Sequence, residues 1–106
     1  LIIYEVNLDV DAEAAGAFAA WLGPHIAEIL ALEGFEGADW WERDPVMEGR
    51  DGEGRALWTV QYRLRDRAAL EDYLAHHAAR LRGDGLARFA GRFTASRRVL
   101  APRGAQ

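Results

Sequence analysis

Cysteine is absent from this 106-residue chain, and that single gap closes off disulfides, thiolate metal sites, iron–sulfur ligation and cysteine nucleophiles together. Lysine is absent as well. All thirteen basic residues are arginine, a bias that a GC-rich coding sequence explains as readily as a demand for planar, multidentate donors. Serine occurs once, as Ser96 beside Arg97, so a nucleophilic triad has no identifiable base to draw on. No apolar run approaches the ~18 residues of a membrane span, and no basic leader precedes the first strand-like residues. The expectation is a cytoplasmic protein with neither a membrane nor a nucleic-acid partner.

What the chain does have is a large apolar fraction: half of it is hydrophobic, enough for one domain with its own core and no covalent staples. Residues 1–100 read as that domain and 101–106 as a loose tail. The net charge is −4, and its distribution says more than its size. Residues 1–48 carry eleven acids and only Arg43, whereas residues 49–106 carry twelve arginines and six acids. Pairing between neighbouring strands accounts for this asymmetry more simply than a basic binding patch does.

Ile2, Tyr4, Val6, Leu8 and Val10 alternate with Ile3, Glu5, Asn7 and Asp9, the period of a strand with one apolar and one mostly polar face. Asp11 is placed to cap a helix whose stripe runs Ala15, Phe18, Leu22, Ile26, Ile29. Gly23-Pro24 predicts a kink or break in it, because proline lacks the amide hydrogen and crowds the preceding turn. Gly34 is suited to ending the helix in a left-handed conformation, with Phe35 folding back on the last turn. Ala38 to Arg43 reads as a second strand, Asp44 to Gly54 as a long mobile loop, and Arg55 to Leu64 as a third strand. Asp66 caps a second helix with Leu70, Tyr73, Leu74, His77, Ala78 and Leu81 as its buried stripe, and Gly83-Asp84-Gly85 stops it. A short turn around Leu86 to Phe89 follows, and Phe93 to Leu100 supplies a fourth strand.

Four strands and two helices in this order predict an α+β, ferredoxin-like βαββαβ domain. Its four-stranded antiparallel sheet has strand order 4-1-3-2 and both helices on one face. The other face, carrying Glu5, Asn7, Gln61, Arg63 and Arg98, is polar. It must meet water or close on a symmetry mate in which every buried polar group finds a partner.

The run Leu32-Glu33-Gly34-Phe35-Glu36-Gly37, Asn7 on strand one and Ala69-Leu70-Glu71-Asp72-Tyr73-Leu74 on helix two resemble the dimeric α+β barrel superfamily, home of antibiotic-biosynthesis and haem-degrading monooxygenases. The opening Ile2-Ile3-Tyr4-Glu5-Val6-Asn7, the segment Trp58-Thr59-Val60-Gln61-Tyr62-Arg63-Leu64 and the closing Gly91-Arg92-Phe93-Thr94-Ala95-Ser96-Arg97-Arg98-Val99-Leu100 are similar to a bacterial family of short uncharacterised proteins. That second likeness spans nearly the whole chain. The resemblance implies a homodimer with the two sheets facing each other and brings no assigned activity.

Each candidate for chemistry has a plainer alternative. His77 on the helix-two stripe, and His25 after Pro24, have the residue type of a ligand or acid–base group, but a lone stripe histidine is more often a core residue bonded to a carbonyl or hydroxyl. His76 and His77 diverge by about 100° on a helix and cannot share a metal, so no metal site is expected. By the resemblance, haem-degrading members use an asparagine on strand one, a tryptophan on helix two and an axial histidine. Here Asn7 matches, Tyr73 stands at the tryptophan position and Gly83 at the axial one. No haem ligand carries over except by recruiting His77, and the expectation is no cofactor.

Trp21, Trp40, Trp41, Trp58, Tyr62 and Tyr73 supply aromatics for a cofactor-free oxygenase pocket, although residues at such spacing mostly build core. RNA binding is disfavoured by the acids on the open face and the lack of a stacking signature on strand three. An acylphosphatase-like anion loop is disfavoured by Asp9-Val10-Asp11-Ala12-Glu13. The resulting expectation is a homodimer binding a small molecule in an aromatic pocket around His25, Trp58, Tyr73 and His77. A monooxygenase using that pocket, cofactor-independent or haem-dependent, is one alternative, and a non-catalytic docking or structural dimer is another.

Overall fold

The alternation at the start of the chain builds β1 (Ile2–Val10). After a 3-10 turn at Ala12–Ala14 comes α1 (Ala15–Leu30), followed by β2 (Phe35–Glu42) and β3 (Ala56–Leu64). Then come α2 (Arg67–His76), α3 (Ala78–Phe89) and β4 (Phe93–Leu100). The computed structural model describes residues 1–51 and 54–104. The predicted loop therefore lies partly outside the described residues, as does the end of the predicted tail. The strands form one antiparallel sheet in the order β2-β3-β1-β4, which is the ferredoxin-like arrangement expected. Central β1 pairs in full register with β3, Tyr4 facing Tyr62 and Leu8 facing Trp58.

Several local expectations are corrected. Asp11 does not cap α1 with its side chain. Its carboxylate is turned instead to Arg55 at 2.7 Å and Arg92 at 3.0 Å, charge-assisted bonds stronger than one to a backbone amide. Pro24 sits inside an uninterrupted α1. The helix continues because Phe18 and Leu22 before it and Ile29 after it are all buried against the same core, so packing on both sides outweighs one lost backbone bond. β2 starts at Phe35, three residues before the expected Ala38, and accommodates Glu36 through an irregularity between Phe35 and Gly37.

The second helix does not stop at Gly83-Asp84-Gly85. It breaks earlier, at His77 (φ −129°, ψ −32°), and α3 then runs through both glycines. Leu74, predicted on the buried stripe, is exposed, whereas Ala78 and Leu81 are buried as predicted and Gly85 also faces inward. Gly85 is small for a reason: a methyl group there would lie 3.0 Å from Cη2 of Trp21. One of the expected signals holds as read: Asp66 accepts from the Ala69 amide at 2.9 Å. Gly34 does adopt φ +89°, with the space for a Cβ taken by Ala69, but α1 has already ended at Leu30, and Gly34 lies in the turn closed by the Phe35 amide donating to the Leu32 carbonyl at 3.3 Å.

The helices cover one face of the sheet. Tyr4, Leu8 and Val10 of β1 and Val60, Tyr62 and Leu64 of β3 pack there against Phe18, Leu22, Leu70, Tyr73 and Leu81. Phe18 is the hub. Its ring lies 4.8 Å from Phe89, 4.9 Å from Phe93 and 5.4 Å from Trp21, and burying side chains of this size stabilises by roughly 1.5–3 kcal/mol each. The halves of the chain are also tied electrostatically. Arg55 holds Asp9 and Asp11, Arg80 holds Glu28, Arg63 holds Asp39, and Arg98 holds Glu5. That is the cross-strand and cross-element pairing the charge asymmetry suggested.

Candidate functional site

Between the helices and the sheet lies a cavity of about 60 Å³. The register that sets Tyr4 opposite Tyr62 places two phenols on its floor, and α2 brings Tyr73 to within 5.7 Å of Tyr4, centroid to centroid. Gly85 and Trp21 close one side, and Arg82 of α3 and Arg97 of β4 reach it from opposite elements. Nη2 of Arg82 donates to the Tyr4 hydroxyl at 2.8 Å, while its buried Nε has no acceptor among the described residues. His25 completes the wall. It stacks on Trp21 at 4.3 Å and 25°, and the same pair borders a solvent-facing dent with Glu28, Asp84 and Arg88. Trp21 and His25 thus separate the cavity from the surface.

Burial sets the protonation states. It pushes the Tyr73 phenol up to about 12, with the neighbouring Tyr4 adding to the rise and Arg82 opposing it. Tyr62 is driven higher still by its burial and by Tyr73 and Tyr4. Both phenols are therefore hydrogen-bond donors across the physiological range. Burial also lowers His25, against the pull of Glu28 and Asp84 outside it, leaving a neutral imidazole at neutral pH.

The open face of the sheet carries a second constellation. Glu5 is only 2% exposed, although no helix covers it. Its carboxylate accepts from Arg98 Nε at 2.6 Å, Gln61 Nε2 at 2.9 Å and Asn7 Nδ2 at 2.9 Å, and Thr59 donates to Asn7 Oδ1 at 2.7 Å. These side chains, with Ser96, Arg43, Glu48 and the half-exposed Trp41, form the floor and walls of an open concavity of about 660 Å³.

Of the four pocket residues expected from sequence, His25 and Tyr73 line the cavity and Trp58 and His77 do not. Trp58 is core, packed edge-on against Trp40 at 5.4 Å and near Phe18 at 6.1 Å. His77 sits at the α2–α3 break, where its backbone serves both helices: its amide donates to Tyr73 and its carbonyl accepts from Leu81. Glu5, Asn7, Gln61 and Arg98 come together in one network, but Arg63 stands apart, paired with Asp39 and packed over Gly37.

Tyr4, Arg82 and Arg97 were missed as cavity residues, and Tyr62 and Trp21, which also line it, were named only among the aromatics of the oxygenase alternative. Strand parity was a sufficient signal for three of them. Tyr4, Tyr62 and Arg97 fall on the helix-facing side, and Arg97 therefore opposes Val6 while Arg98 opposes Glu5.

Haem does not fit here. His77, the one substitute ligand, is outside the cavity, and about 60 Å³ is far below the volume of a macrocycle. Among the described residues no group of three or more histidine, aspartate or glutamate side chains is placed to hold a metal ion.

Solved structures of the same shape define the class. SnoaB, a cofactor-independent oxygenase from Streptomyces nogalater, superposes in a variant form with a TM-score of 0.67 at 14% identity, over 98% of this chain and 95% of that one. Rv0793 from Mycobacterium tuberculosis gives 0.63 at 20% identity, over 99% and 98%. An EthD family protein from Bacillus halodurans gives 0.64 at 15%, over 97% and 100%. The chain has the α+β fold of these proteins; identities this low carry the fold and not the activity. Residues 1–102 match the family described as a domain of unknown function, DUF4286, and the chain belongs to it. Sequence comparison with curated proteins gives no match.

Proposed function

We propose that this protein binds a small molecule in the cavity between helices and sheet, and does so as a homodimer whose open sheet faces meet. The observation that carries the binding reading is the cavity itself: a largely apolar enclosure into which a few polar groups of Tyr4, Tyr62, Tyr73 and Arg82 converge. Size limits the ligand. An engineered apolar cavity of about 150 Å³ accepts benzene, so about 60 Å³ takes a molecule of few heavy atoms, and a larger one enters only if Trp21 and His25 swing outward. The dimer reading is supported by the open face. Its central carboxylate is already neutralised and multiply hydrogen-bonded, so covering it costs little further desolvation.

Titration with p-cresol and with propionate, followed by NMR, tests the binding reading. Shifts clustered on the Trp21 indole and the Tyr73 amide support it; shifts confined to the open face, or none, reject it. Sedimentation equilibrium tests the dimer, which a monomer throughout the micromolar range would reject.

A second reading, a cofactor-independent oxygenase, is favoured by one observation. His25 is a neutral imidazole in the cavity wall, the form that accepts a proton from a phenolic substrate. The likeness to SnoaB supplies a precedent for such chemistry on this fold. Oxygen uptake with hydroquinone-type substrates, above the rate of autoxidation and lost in His25→Ala, would bear it out. Uptake equal in the two proteins would reject it.

A further inference from the structure

We infer that the ligand of this cavity is an anion, a short-chain carboxylate, whose charge is taken by Arg82 with Arg97 behind it. The inference rests on the binding reading above and adds the chemical class of the ligand. Two guanidinium groups border the cavity, and among the described residues no carboxylate does. Elsewhere Arg43, Arg55, Arg63, Arg80, Arg92 and Arg98 are each paired with an acid. The site is electrically unbalanced in favour of a negative guest.

The hydrogen bonding points the same way. The Nε of Arg82 is buried and has no acceptor among the described residues, and a donor on a charged group left without a partner is costly where it is shielded from solvent. Its Nη2 is engaged with the Tyr4 hydroxyl, which fixes the plane of the guanidinium. Because Tyr4 accepts that bond, its own O–H proton remains available for a second acceptor. Tyr62 and Tyr73 also keep their protons. Arg82 and Arg97 can only donate, and the phenols, which also accept, keep protons to give, so the balance of polar groups here favours an acceptor such as a carboxylate over an ammonium. Phe18, Leu22 and Val60 in the remaining wall suit an alkyl tail, and the small volume keeps that tail short.

The test compares isosteric acids and amides. Propionate and butyrate are titrated against propionamide and butyramide at neutral pH, with Trp21 fluorescence and calorimetry as readouts, in the wild type and in Arg82→Gln, Arg82→Lys and Arg97→Gln. The acids are expected to bind at least about tenfold more tightly than the amides. Arg82→Gln should erase that preference while leaving amide affinity in place, Arg82→Lys should retain part of it, and the exposed Arg97→Gln should weaken it less.

Amides binding as well as acids would overturn the inference and leave the binding reading standing. Neither class binding would overturn both. An acid preference unchanged in Arg82→Gln would remove Arg82 from the site, and inorganic phosphate binding as tightly as butyrate would rule out a carboxylate-specific site.

Discussion

Arg98 Nε donates to Glu5 Oε2 at 2.6 Å across the β1–β4 pairing, on the sheet face that no helix covers. The pair is lopsided. The Glu5 side chain is 3% exposed and that of Arg98 is 65% exposed, so the cation lies over the anion and, with Gln61 and Asn7, seals it from water. A carboxylate with both oxygens engaged is stabilised in its charged form more than its burial penalises it, and the Glu5 carboxyl is held at about 2, well below its ordinary 4.5.

That displacement makes folding pH-dependent with a definite sign. The folded value lies below the unfolded one, so the stabilisation is complete above 4.5 and is lost as pH falls from there toward about 2. Its size is on the order of 3 kcal/mol at most. Glu5→Gln should lower stability near neutrality by about 1–3 kcal/mol and flatten the acid limb of the curve. Urea denaturation across the acid range checks this, and an acid limb equally steep in the variant would show that other carboxylates carry it.

The two glycines of α3 should respond oppositely to alanine. Gly83 has open space where a Cβ would go, so Gly83→Ala should stabilise by about 0.5–1 kcal/mol through helix propensity alone. At Gly85 the same methyl meets Trp21 at 3.0 Å. Because that indole is packed against His25, Phe18 and Phe89, it has little room to retreat. Gly85→Ala should forfeit the propensity gain and destabilise by about 1 kcal/mol. Thermal melts of the two variants decide the matter, and a stabilised Gly85→Ala would mean that Trp21 yields.

The same two positions show where sequence reasoning stops. Strand parity and the order of elements are local and periodic, so β1, β3, the sheet order and the polar network of Glu5, Asn7, Gln61 and Arg98 were legible from residue spacing. Gly83 and Gly85 were read as a helix terminator because glycine is permissive in isolation. What requires glycine at position 85 is the close approach of Trp21, about sixty positions away, that no local pattern reports. Pro24 was misjudged for the same reason. Within the site, Tyr73 followed from its place on the helix-two stripe and His25 from its residue type after Pro24, but His77 falls at the break between α2 and α3 and outside the cavity. Arg82, outside any apolar stripe, is bonded to Tyr4. A charged residue that turns inward by pairing with a phenol from a distant strand leaves no periodic signature.

His25 offers the last test, because its stack with Trp21 makes its protonation visible. The imidazole is lowered from its ordinary 6.5 by burial, with Glu28 and Asp84 pulling the other way and Arg88 also bordering the outer dent. For a base whose folded value is depressed, the unfolded chain takes up the proton first. Stability is therefore full above 6.5 and declines as pH falls from there toward the folded value. Protonation should also disturb the stack, which sits at 4.3 Å, and quench Trp21. A fluorescence titration of the wild type should show a step with its midpoint below 6.5 that disappears in His25→Gln, together with part of the stability loss over the same range. A step that persists in His25→Gln would assign the transition to another group. A midpoint above 6.5 would mean that Glu28 and Asp84 dominate and that the imidazole is a cation at the cavity wall. In that case the oxygenase reading would lose its base, while the preference for an anion would be strengthened.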